Sequence, residues 1–75
     1  MDTHAISRLA VGQMAVEPRG MVRDINGVAR LELVVERTAS SEYRVYTARN
    51  GRCADARQVM RCRSVAQVAA HLSRR

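Results

Sequence analysis

The chain has 75 residues, 47% of them hydrophobic, with thirteen arginines, no lysine, seven acids and a net charge of +6. That length bounds it to one small domain, and the apolar content excludes a disordered tail. The longest run of large hydrophobes, Leu33-Val34-Val35, falls far short of the ~20 residues a membrane helix needs.

Without Phe or Trp, the core has to come from Leu, Ile, Val, Met and Ala. Such side chains bury little area each and leave a domain of this size near the margin of stability. Association commonly rescues small domains in that position, so a homodimer is expected. The segment Met1–Arg8 lacks the basic start and apolar stretch of a signal peptide. A cytoplasmic location follows, with Cys53 and Cys62 reduced and no membrane partner.

The first twenty residues admit two readings. Ile6, Leu9, Ala10 and Met14 make a helical stripe with Thr3 as its N-cap, whereas Leu9–Val16 also serves as a strand. Gly12 weakens the helix, so the strand is favoured, and Glu17-Pro18-Arg19-Gly20 ends the element either way. Next, Asn26-Gly27 is placed to fold Met21–Ile25 onto Val28–Val35, because both central residues of a type I′ turn need positive φ. Within Arg30–Arg37, Leu31, Leu33 and Val35 point one way and Arg30, Glu32 and Glu36 the other, the pattern of a half-buried strand. Thr38–Glu42 is a polar loop of hairpin length, and Tyr43–Thr47 resumes the alternation.

A second pair, Asn50-Gly51, folds Tyr43–Arg49 onto the segment after Arg52. A tight turn there sets Arg49 opposite Arg52 and Arg44 opposite Arg57, like charge against like. A bulge or longer loop over residues 50–57 is the alternative. Val59–Cys62 reads as a last strand, and Ser64-Val65-Ala66-Gln67 as a capping box. Val65, Val68, Ala69 and Leu72 then form one apolar face, so a helix is expected over 65–73. The sum is an α+β domain: an antiparallel meander of four to five strands over about 6–62, with one C-terminal helix packed on one face.

Charge separates along the chain. Met1–Glu42 carries five arginines against six acids, whereas Tyr43–Arg75 carries eight arginines against Asp55 alone. The codon usage of a GC-rich genome accounts for arginine in place of lysine, but not for this segregation. Arg44, Arg49, Arg52, Arg57, Arg61 and Arg63 are expected to line a sheet face and hairpin tip, where planar guanidinium forks suit phosphate. Tyr46 alternates to the side of Arg44 and is placed to stack on an unpaired base. These residues predict a small non-enzymatic nucleic-acid-binding protein, regulatory or architectural, acting on DNA or RNA.

The alternative is a protein-interaction module, such as a bacterial or phage inhibitor or adaptor, whose basic face meets an acidic protein. A weaker one is an RNA-cleaving, toxin-like enzyme, for which Tyr43-Arg44-Val45 is slender support. His4, Cys53, Cys62 and His71 lack the close pairs that pre-arrange a metal site, so no metal or cofactor is expected. No catalytic residue is expected either. Ser64 is better used as a cap, the histidines lie at opposite ends, and the four glycines are too scattered for a phosphate loop.

Overall fold

The computed structural model describes residues 3–53 and 58–73. Five antiparallel strands make one sheet: β1 (Met14–Asp24), β2 (Gly27–Ala39), β3 (Glu42–Arg49), β4 (Arg52–Cys53) and β5 (Met60–Cys62). Their order is β1-β2-β3-β4, and β5 also pairs with β3. The short strands β4 and β5 therefore share one edge of β3, β4 against Ala48 and Arg49 and β5 against Tyr43, Arg44 and Val45. Two helices complete the domain, α1 (Thr3–Ser7) and α2 (Val65–Ser73). The class is thus α+β, with an antiparallel sheet and a C-terminal helix.

The alternation in β2 decides which face is covered. Leu33 and Val35 join Tyr43 and Val45 of β3 and Cys62 of β5 in one apolar layer. Ile6, Leu9 and Val68 pack onto that layer, with Ala15, Val65 and Leu72 at its margin. Ile6, Leu33, Val35, Val45 and Val68 are fully buried, each contributing about 1.5–3 kcal/mol by leaving water. Helix α2 starts at its cap: the Gln67 N–H donates to Ser64 Oγ at 3.2 Å. The Gln67 side chain returns the contact through Oε1, which accepts the Arg63 N–H at 2.6 Å, one residue before the usual position.

Arg37 continues the same inward alternation at the end of the layer. Its guanidinium donates to Leu9 O at 2.7 Å and Ser40 O at 2.9 Å, and lies 5.6 Å from the centre of the Tyr43 ring. The Arg37 backbone also bonds to Gly12 and Gln13, tying the segment after α1 to β2. This arginine closes the core and ties down the chain before β1.

Several expectations change. Residues 3–7 are helical and the sheet begins at Met14, so the strand favoured over Leu9–Val16 survives only in its last three residues. Pro18 and Gly20 do not end β1; a register shift between them absorbs the irregularity within one 11-residue strand. An edge strand tolerates proline because a missing ladder donor can face solvent. At the first turn Asp24 pairs with Gly27, which puts Ile25-Asn26 at the tip instead of Asn26-Gly27. At the second, Asn50 and Gly51 take φ of 52° and 84°, as a two-residue hairpin with positive φ requires. Arg49 does oppose Arg52, but Arg44 opposes Arg61; Arg57, placed there by the tight-turn register, lies outside the described residues.

Candidate nucleic-acid interface

The described helices cover one face of the sheet; on the other, called the open face, Val34 and Ala48 are nonetheless buried and the residues around them are exposed or half-buried. Antiparallel pairing puts opposite residues on the same side, so successive rows of this open face can be read from the register. One row runs Met14, Glu36, Arg44, Arg61, and the next runs Val16, Val34, Tyr46. Arg44 and Arg61 are exposed and form no ion pair among the described residues. Tyr46 is half-buried beside them. Burial raises its phenol pKa, Glu36 and Cys53 push the same way, and Arg44 opposes them.

Arg63 follows β5 and borders, with Arg61, Ser41 and Glu42, a cleft of about 460 Å³ at the same end of the sheet. The fold thus brings Arg44, Tyr46, Arg61 and Arg63 together. Arg49 and Arg52 form a separate pair five residues further along β3, about 17 Å away at 3.4 Å per residue. They alternate toward the other face and border a second cleft of about 460 Å³ between the Asn50-Gly51 tip and the end of the β1–β2 hairpin. The expected cluster is therefore two groups, one at each end of β3. All of these arginines but Arg63, which follows β5, lie on β3 or on the strands along its outer edge, while β1 forms the opposite margin of the sheet.

Residues outside that set also face solvent here. Met21 pairs with Arg30 and Arg23 with Val28 on the open side of the β1–β2 hairpin. Arg23 and Arg30 belong to the nearly neutral half of the chain, where counting charge gave no reason to select them. Their signal was positional: they alternate with inward residues on either side of a turn.

The thiols lie apart. Cys53 is exposed and Cys62 is buried in the core layer, where burial raises its pKa. Among the described residues no group of three or more His, Cys, Asp or Glu side chains is placed to hold a metal ion, and no helix is long and apolar enough to cross a membrane. Comparison of the chain with protein-family models, with curated proteins and with solved structures returned no match.

Proposed function

We propose that the protein binds nucleic acid, without catalysis, through the arginines along the β3 edge. The observation that carries this reading is the pairing of arginine with arginine at both ends of one strand, Arg44 with Arg61 and Arg49 with Arg52. Like charges directly opposite are destabilising; Glu36 faces Arg44 across the ladder, but no described carboxylate comes within ion-pair distance of Arg44, Arg52 or Arg61. A polyanion converts that repulsion into attraction and gains further from the counterions it releases. Tyr46 lies on the same face as Arg44, one row along, and is the residue that would stack on a base. A regulatory or architectural role fits such backbone-led binding.

Fluorescence anisotropy with labelled random-sequence DNA and RNA at about 50 mM salt tests the proposal, since electrostatic contacts are strong at that ionic strength. Saturable binding to either is expected; no binding to both refutes it. One observation favours a second reading, a protein-interaction module. Met14 and Val16 are about half exposed on the open face beside the outer edge of β1. That reading predicts a protein partner that stays bound after nuclease treatment and is lost on Val16→Glu.

A further inference from the structure

The most exposed apolar side chains lie away from the core and away from β3. Ladder pairing between β2 and β3 stops at Leu31↔Arg49. Beyond it, Met21↔Arg30, Val22↔Ala29, Arg23↔Val28 and Asp24↔Gly27 make a two-stranded ribbon, about 10 Å long at 3.4 Å per residue. Ile25 caps this ribbon at 98% exposure, and Met21 and Val28 stand on its open face at 66% and 55%. Nothing in turn chemistry favours isoleucine there: two-residue turns select Gly, Asn, Asp or Ser, and water does not hold an apolar tip in place. The same face presents Arg23 diagonally to Arg30. Arg30 meets Glu32 Oε1 through Nε at 3.8 Å, a long contact that leaves the arginine side chain 63% exposed.

The ribbon is also held at its root. Asn50 Oδ1 accepts the Arg30 N–H at 2.9 Å, and the Asn50 N–H donates to Arg30 O at 2.9 Å. These two bonds fix the ribbon against the tip that carries Arg49 and Arg52. The cleft between them is lined by Asn26, Arg49, Asn50 and Arg52.

The geometry points to insertion of this ribbon into the major groove of duplex DNA, an assignment that rests on the nucleic-acid reading above and specifies its target. Two paired strands sit about 4.8 Å apart, and a major groove about 12 Å wide admits such a ribbon without deforming the duplex, whereas a minor groove about 6 Å wide has to be widened and bent to take it. The deep, narrow major groove of duplex RNA excludes it as well. In the DNA groove Arg23 and Arg30 donate to guanine O6 and N7, Met21 and Val28 contact thymine methyl groups, and Ile25 lies against the groove floor.

The test uses the full chain with one random sequence prepared as duplex DNA and as duplex RNA. Arg23→Gln, Arg30→Gln and Ile25→Ser change exposed positions, and circular dichroism checks that each variant folds. A set of duplexes methylated at guanine N7 probes the groove directly. DNA is expected to bind at least about tenfold more tightly than RNA, and each arginine variant to lose about 5- to 100-fold on DNA. Methylation is expected to block binding, and Ile25→Ser to weaken it. If Arg44→Gln/Arg61→Gln weakens binding while the ribbon variants bind as the parent does, or if duplex RNA binds equally well, the ribbon assignment fails and the nucleic-acid reading stands. Absence of binding to any duplex or single strand removes both.

Discussion

Replacing Arg61 with glutamine should stabilise the free protein while weakening its hold on nucleic acid. Arg44 and Arg61 are cross-strand partners, and two unit charges about 6 Å apart in a water-like medium repel by about 0.7 kcal/mol. Glu36 stands opposite Arg44 on the other side, and its attraction to the two guanidiniums offsets part of this, leaving a net penalty of about 0.5 kcal/mol. For a domain of this size that corresponds to a melting temperature about 2–4 °C higher in Arg61→Gln. Arg44→Gln relieves the same repulsion but forfeits the attraction to Glu36, so it should melt within about 1 °C of the parent. Arg63→Gln, which has no ladder partner, serves as the control. Thermal melts followed by circular dichroism at low salt and at about 1 M salt decide the matter, because a Debye length near 3 Å erases the effect. An Arg61→Gln protein that melts at or below the parent at low salt, or keeps its gain at high salt, refutes the reasoning.

Three further outcomes are expected. Ser64→Ala removes the acceptor of the Gln67 N–H and should cost about 1 kcal/mol in urea denaturation, with an unchanged m-value. Arg37→Ala loses two charge-assisted bonds to Leu9 O and Ser40 O, so a loss of about 2–4 kcal/mol is expected, against less than about 0.5 kcal/mol for Arg8→Ala on the exposed surface. In alkaline titration followed by phenolate absorbance, Tyr46 should ionise above the ordinary tyrosine value, and Glu36→Gln should bring it down. Because its folded-state pKa is raised, its contribution to stability is complete below the unfolded value near 10 and is lost as pH rises through the folded one. Melts that keep this contribution above that window contradict the assignment.

Much of the fold was legible where two local signals agreed. The Ser64 cap and the Val65–Leu72 stripe both specify α2, and alternation in β2 and β3 specifies their pairing. Asn50-Gly51 alone supplies both positive-φ positions of its turn. Legibility failed where one signal stood for two structures. Five residues are too few for a helical period, so α1, which precedes the strand-like segment Leu9–Val16, was legible only as part of a longer helical stripe reaching Met14. Pro18-Arg19-Gly20 is turn chemistry in most contexts, yet at a sheet edge it becomes a bulge within a continuous strand. Asn26-Gly27 marked a turn correctly but one residue late, because only Gly27 of that pair takes a positive φ.

The interface was read less completely, for a physical reason. Net charge along a chain reports sequence neighbours, whereas a sheet interleaves distant segments. Arg23 and Arg30 were masked by the acids around them in sequence, and Arg49 and Arg52 were separated from Arg44 by strand alternation. Arg37 carried a readable signal: it follows Val35 by two residues, so the alternation that buries Val35 turns Arg37 toward the core as well.

The most direct test of the central claim is the slope of log affinity against log salt for duplex DNA, compared between the parent and the pairs Arg44→Gln/Arg61→Gln and Arg49→Gln/Arg52→Gln. Each pair should flatten the slope by about 1.8, at about 0.9 per lost phosphate contact. A parent slope near zero, or one that neither pair changes, contradicts the claim that these opposed arginines hold a polyanion.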